Sequence, residues 1–177
     1  MRLKKNILIT GVPGIGKTTL IMKIIEAMND VGPVGFYTDE IREKGMRTGF
    51  SLTSITGGRS ILSHVDIKSR FKVGKYGVDV AGFEAFIERI PFFDDKISMI
   101  VIDEIGKMEC YSTKFTKLIR ALLDSKKFFI ATIAFKGEGL IAEVKRQPDI
   151  ELFEITRDNR NDLLQRILNR TLSRPSH

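Results

Sequence analysis

Eight consecutive residues, Gly11-Val12-Pro13-Gly14-Ile15-Gly16-Lys17-Thr18, satisfy the pattern G-x-x-x-x-G-K-[ST]. Glycines at these spacings let the backbone curl so that successive N–H groups point inward, and a helix opening at the lysine adds partial positive charge beneath a bound anion. A polyphosphate is the ligand that fits. In such a loop Lys17 reaches the β- and γ-phosphates, the Thr18 hydroxyl ligates Mg2+, and Thr19 bonds a phosphate nearer the sugar. Far downstream the apolar run Ile100-Val101-Ile102 ends in two adjacent carboxylates, Asp103 and Glu104. Asp103 is read as a Mg2+ residue and Glu104 as the general base that activates a water against the γ-phosphate. An acidic strand end is common by itself. The glycine loop upstream is what directs this one toward metal and water.

Two further patterns compete. Asp103-Glu104-Ile105-Gly106 also satisfies D-x-x-G, and Asn159-Arg160-Asn161-Asp162 is one substitution from N-K-x-D, by which GTPases read guanine. Lys107 stands where a water-positioning Gln belongs, and Asn159 with Asp162 has a sufficient use as helix cap and first-turn acid. The GTP-switch reading is therefore set aside. Developing transition-state charge calls for a cation beyond Lys17. The candidates for that role or for nucleotide contact are Arg42 and Arg47 on a loop after the second strand, Gly106 and Lys107 beside the carboxylates, and Arg160. His64 and His177 have no partner at metal-ligand spacing, and His64 is read as a hairpin residue. Cys110 and Met108 are read as packing, and Phe36 and Tyr37 as core, with stacking on a base the alternative.

These residues need a scaffold. Residues 5–10 form a short apolar run stopped by Gly11, a buried strand; Leu20, Ile21, Ile24, Ile25 and Met28 then recur at helical spacing until Gly32-Pro33. Residues 34–38 read as a second strand. Between 47 and 80 the pattern turns β-rich, with a hairpin turn at Thr56-Gly57-Gly58, which suggests an insertion. A short helix carrying Phe83, Phe86, Ile87 and Ile90 closes at Pro91, and residues 97–102 are the strongest buried strand. Beyond it the periodicity predicts a helix on Phe115 to Leu123, a strand at 127–133, a short helix at 140–145, a strand at 150–155 and a last helix capped by Asn159. Such βα alternation implies an α/β fold with a mostly parallel sheet and helices on both faces, whose ligands bind beyond the carboxyl ends of the strands. One domain over residues 1–172 is expected, with 173–177 a disordered tail.

Composition narrows the classes. The 177 residues carry 29 Lys plus Arg against 22 Asp plus Glu, a formal charge of +7, yet the excess is spread along the whole length and forms no basic tail. That is a solubility surface rather than a nucleic-acid footprint, so nucleic acid is a possible partner without a basic patch to support it. No apolar window approaches a membrane span and the N-terminus does not fit a signal peptide. The single Cys110 forms no internal disulfide and nothing points to an oxidising compartment, so a cytoplasmic protein is expected, with a monomer as the default. Only two Gln and one Cys among many Lys, Arg and Ile point to a thermophilic source.

Taken together, GVPGIGKTTL, GFYTDEIREKGMRTGF, VGKYGVDV, IDEIGKMEC and ELFEITRDNRNDL resemble the thermophilic nucleoside-triphosphatase family, also called the cancer-related nucleoside triphosphatases. The resemblance spans residues 6–172. It implies a phosphate-loop NTPase fold of the class with an extra strand between the two motif strands and a catalytic glutamate. It also implies Mg2+-dependent hydrolysis of ATP, GTP, CTP and UTP to NDP and phosphate with little base preference. By position Lys17, Thr18, Asp103 and Glu104 take the family's roles, and charged residues match at Arg42, Arg47 and Arg160. Ile133-Ala134-Phe135-Lys136 departs from the pattern, since relatives tend to carry a Pro there. Two alternatives remain open: a kinase for a small nucleotide or nucleoside acceptor, and a nucleotide-dependent switch that binds RNA or protein.

Overall fold

The computed structural model describes residues 4–173. Along the chain β1 (Asn6–Thr10) leads into α1 (Lys17–Ala27), and four strands follow: β2 (Val34–Glu43), β3 (Met46–Ser54), β4 (Arg59–His64) and the short β5 (Lys72–Val73). Then come β6 (Tyr76–Val78), α2 (Val80–Ile87), β7 (Met99–Ile105), α3 (Thr113–Asp124), β8 (Phe128–Ile133), α4 (Leu140–Lys145), β9 (Ile150–Glu154) and α5 (Arg160–Leu172).

All nine strands belong to one sheet, in the order β5-β6-β4-β3-β2-β7-β8-β1-β9. The half β2-β7-β8-β1-β9 is parallel, and the half beyond β2 is antiparallel. The sheet is thus mixed. The β-rich stretch expected as an insertion at 47–80 prolongs the sheet that carries the motifs. β8 lies between β7 and β1, so one strand separates the glycine loop from the acidic pair.

The parallel strands read as continuous apolar runs because both of their faces are covered. Leu8, Ile100, Ile102, Phe129 and Ala131 face α2, α3 and α4 through Phe83, Phe86, Phe115, Ile119 and Val144. Ile7, Ile9, Val101 and Ile130 face α1 and α5 through Ile21, Ile24, Leu163 and Ile167. Phe36 is fully buried, edge-on to Phe83 and Phe86 at 5.9 and 5.8 Å between centroids, so it serves the core. Each such side chain removed from water contributes about 1.5–3 kcal/mol. Two caps fix the helices on the first face. Asp79 Oδ1 accepts from Gly82 N at the start of α2 (2.9 Å); at the start of α3, Ser112 Oγ accepts from Phe115 N (3.0 Å) and donates to Glu84 Oε1 (2.7 Å).

Three elements differ from their sequence expectation. β2 does not stop at Thr38 but runs to Glu43 and turns through Lys44 and Gly45, both at positive φ, into β3. Its charged residues are compatible with a strand because Glu40 is paired by Arg42 and by Arg47. β7 continues through Asp103 and Glu104 to Ile105, which pairs with Ile133 after a register shift. Asn159 precedes α5 but makes no side-chain cap: its Oδ1 accepts from Thr156 N (2.8 Å) and its Nδ2 donates to the Glu154 carbonyl (2.8 Å), fastening the loop behind β9. Among the described residues no helix is long and apolar enough to cross a membrane. Of the tail expected at 173–177 only Ser173 is described, its N–H bonded to the Asn169 carbonyl; the rest lies outside the described residues.

Candidate active site

The glycine loop leaves the carboxyl end of β1 and turns at once into α1. Gly16 holds φ 112° as the residue before the helix, a conformation that side chains disfavour. Gly11 is required for a different reason: a Cβ there would stand 2.8 Å from the Ile155 carbonyl oxygen. α1 begins with no side-chain cap and no acidic residue in its first turn, so its leading amides are left for an anion. Lys17 is buried, with Nζ donating to the Gly11 carbonyl (3.1 Å) and lying 3.6 Å from Glu104 Oε2. Val12, Pro13 and Gly14 form the exposed rim, Ile15 is half-buried, and Thr19 is exposed on the first turn of α1.

Asp103 has no solvent exposure and collects hydroxyls from three elements. Thr18 Oγ1 on α1 donates to its Oδ2 (2.9 Å), as do Thr38 Oγ1 on β2 (3.0 Å) and Thr38 N (3.4 Å). Thr132 Oγ1 on β8 donates to Oδ1 (2.5 Å). A buried carboxylate against threonine hydroxyls is an oxygen donor set of the kind Mg2+ takes. Among the described residues no three His, Cys, Asp or Glu gather into a metal cage.

Glu104, on β7, stands against Lys17. Burial raises its carboxyl above the ordinary range and the neighbouring Asp103 raises it further, while Lys17 opposes both. A second buried carboxyl stands beyond it. Glu109 is 5% exposed, and burial together with Glu104 pushes it up to about 8. Gly106 separates the two: a Cβ there would lie 2.8 Å from Glu109 Oε2 and 3.1 Å from Glu104 Oε1. Lys145, the last residue of α4, donates through Nζ to the carbonyls of Ala134 (2.7 Å) and Phe135 (2.8 Å). Its pKa is lowered chiefly by burial; Glu104 and Glu154 oppose this and Lys17 adds to it.

The remaining sequence candidates are dispersed. Arg42 and Arg47 lie within strands of the β2–β3 hairpin rather than on a loop. Arg42 NH2 is 2.6 Å and Arg47 NH1 2.8 Å from the Glu40 carboxylate, and Arg47 also donates to Tyr76 OH (3.1 Å) above the Phe50 ring. Lys107 and Arg160 are exposed, the latter opening α5. His64 ends β4 between Glu43 and Asp66. Tyr37 packs toward α1 and borders a cavity of about 490 Å3 that Thr19 and Met22 also line. Four residues around the site were not anticipated: Thr38, Thr132, Glu109 and Lys145. Thr132 had a legible signal, a hydroxyl late in an otherwise apolar strand, whereas Thr38 lies midway along β2 where its charged residues begin.

Known proteins resemble this chain in sequence and in fold. The model of a family described as NTPase matches residues 6–168. A nucleoside-triphosphatase THEP1 from Thermotoga sp. (strain RQ2) is 42% identical over 167 residues, 92% of this chain and 93% of that protein. The cancer-related nucleoside-triphosphatase of Homo sapiens is 38% identical over 180 residues, 93% and 95% of the two chains. The crystal structure of THEP1 from the hyperthermophile Aquifex aeolicus superposes with a TM-score of 0.81 at 39% identity, covering 96% of this chain and 99% of that one. The solution structure of a human cancer-related nucleoside triphosphatase gives 0.80 at 34%, with 97% and 100% covered. The shared sheet, the glycine loop after β1 and the acidic pair on β7 go with sequence identity along nearly the whole length, and the chain belongs to the NTPase family of the THEP1 and cancer-related nucleoside-triphosphatases.

Proposed function

We propose that the chain is a Mg2+-dependent nucleoside triphosphatase that converts ATP, GTP, CTP and UTP to the diphosphate and phosphate, working as a monomer in the cytoplasm. The observation that carries this reading is the meeting of Lys17 and Thr18 on α1 with Asp103 and Glu104 on β7. The relatives it matches are named nucleoside triphosphatases.

The residues divide the work. The loop amides and Lys17 hold the triphosphate, and the Thr18 hydroxyl and Asp103 would hold Mg2+, which when bound neutralises charge on the β- and γ-phosphate oxygens. Glu104 accepts the proton of the attacking water; a buried carboxyl with a raised pKa is a stronger base than an exposed one. Every one of these groups addresses the triphosphate and none the base, which supports broad base specificity.

The test is phosphate release from the four triphosphates with Mg2+ and no acceptor, beside Glu104→Gln. Release from all four, lost in the variant while nucleotide binding persists, is the expected result. Tight binding without release would overturn hydrolysis in favour of phosphoryl transfer to an acceptor or a partner-dependent switch. Normal turnover by Glu104→Gln would remove the base assignment.

A further inference from the structure

We propose that Lys145 is a second cation of the catalytic site, taking up the charge that develops on the γ-phosphoryl group while Lys17 holds the triphosphate. The proposal rests on the hydrolytic reading above. In that step a water oxygen bonds to the γ-phosphorus, whose bond to the β–γ bridging oxygen breaks with the electron pair leaving on the diphosphate. The water proton passes to Glu104. Charge on the equatorial phosphoryl oxygens is what a further donor would stabilise.

Topology puts Lys145 in the right place. β8 is flanked by β7, which carries Asp103 and Glu104, and by β1, which carries the glycine loop, so a group anchored on its carboxyl end stands between the two. Lys145 is anchored there by the carbonyls of Ala134 and Phe135, the first residues past β8. Thr10 Oγ1, at the end of β1, donates to the adjoining carbonyls of Ile133 (3.1 Å) and Ala134 (3.4 Å), which ties the same exit to the glycine loop.

Chemistry points the same way. An ammonium has three donors, and two are committed to these carbonyls, which orients the third. Among the described residues no carboxylate comes within ion-pair distance of Lys145, although Glu104 and Glu154 act on it from farther off. Two lysines thus converge near one glutamate, with burial and mutual repulsion both opposing the second charge. A bound polyphosphate would relieve that repulsion. The cations singled out from sequence are less well placed: Arg42 and Arg47 share Glu40, and Lys107 and Arg160 are exposed. If Lys145 only fastened the loop after β8 to α4, its loss would weaken folding and nucleotide binding together and leave no specific effect on turnover.

The experiment compares Lys145→Ala, Lys145→Arg and Glu104→Gln in the full chain. It follows phosphate release from Mg2+-ATP, ADP affinity by calorimetry, and the thermal midpoint. The expected result is a fall in kcat of about 10²–10³-fold in Lys145→Ala, with ADP affinity and midpoint close to the parent. Lys145→Arg should recover most of the rate, and added ethylammonium should partly rescue Lys145→Ala but not Glu104→Gln. A kcat within about threefold of the parent in Lys145→Ala, while Glu104→Gln is inactive, overturns the lysine alone. Loss of kcat in step with midpoint and ADP affinity, with no amine rescue, overturns it too. An active Glu104→Gln removes the hydrolytic base and this proposal with it.

Discussion

Thr18 and Asp103, 85 residues apart in the chain, are joined by a 2.9 Å hydrogen bond from the threonine hydroxyl to Oδ2. That bond couples the first turn of α1 to β7, although β8 lies between β7 and the β1 strand that leads into α1. Asp103 holds the junction because it is fully buried and accepts from Thr38 and Thr132 as well. A buried carboxylate with this many donors keeps one position, and the loop that would carry the phosphates is set against it.

Thr132→Val tests the junction. The swap keeps the shape and removes the donor to Oδ1, leaving a buried acceptor unsatisfied at a cost of about 1–3 kcal/mol. Denaturant unfolding should show a lower midpoint with an unchanged slope. Because Asp103 is then less firmly oriented, half-maximal phosphate release should need more Mg2+. An unmoved midpoint would mean that the hydroxyl does not support Asp103.

Gly106→Ala tests the spacing of the two glutamates. The added methyl meets the ends of two side chains, Glu109 Oε2 and Glu104 Oε1, and no backbone atom within 3 Å, so the fold should survive while Glu104 is pushed aside. Misplacing a base by a fraction of an ångström to one ångström lowers kcat on the order of 10²-fold. ADP affinity, set at the glycine loop, should hardly change. Equal losses in kcat and ADP binding would show that the substitution disturbs the loop rather than the base.

Much of this was legible in residue order, and the exceptions share a cause. The glycine loop and its flanking strand and helix are local patterns, as is the run from Ile100 into the two carboxylates, and both stand where their spacing put them. β2 beyond Thr38 looked like a loop because most partners of its charges sit on other strands, Arg47 for Glu40, Arg59 for Asp39 and His64 for Glu43. Asn159 has the composition of a cap, yet its side chain bonds Thr156 N and the Glu154 carbonyl. Glu109 and Lys145 carry no local signal at all. Lys145 comes near Glu104 only when β8 has paired between β7 and β1, and Glu109 is folded back on Glu104 by the turn that follows β7 across Gly106.

Glu109 makes stability depend on pH. Its folded carboxyl is raised to about 8, above the unfolded value, so the folded state binds the proton more tightly and the contribution is fully present below the unfolded pKa. It is lost as pH rises toward 8, at up to about 1.4 kcal/mol per pH unit. Glu109→Gln cannot ionise. The variant should therefore gain on the parent steadily between about pH 4.5 and 8, read as the difference between their unfolding free energies. Parallel curves for the two proteins over that window would show that Glu109 titrates normally.

Lys17→Met separates holding the phosphate from tuning the base. Lys17 Nζ rests on the Gly11 carbonyl, 3.6 Å from Glu104 Oε2. When a triphosphate takes the ammonium, charge-assisted bonds worth about 1.5–3 kcal/mol are formed to it, a factor of roughly ten to a hundred in affinity. Triphosphate affinity should fall by that factor in the variant and nucleoside monophosphate affinity far less, since the lysine reaches the outer phosphates. Removing Lys17 also removes the one nearby cation that lowers Glu104 most, so the Glu104 carboxyl should rise further in Lys17→Met than in the parent. Carbon-13 NMR of the glutamate side chains, with Glu104→Gln to assign the signal, would follow that titration. A loss of affinity equal for mono- and triphosphates, with Glu104 unmoved, would place the lysine outside the site that the glycine loop and β7 enclose.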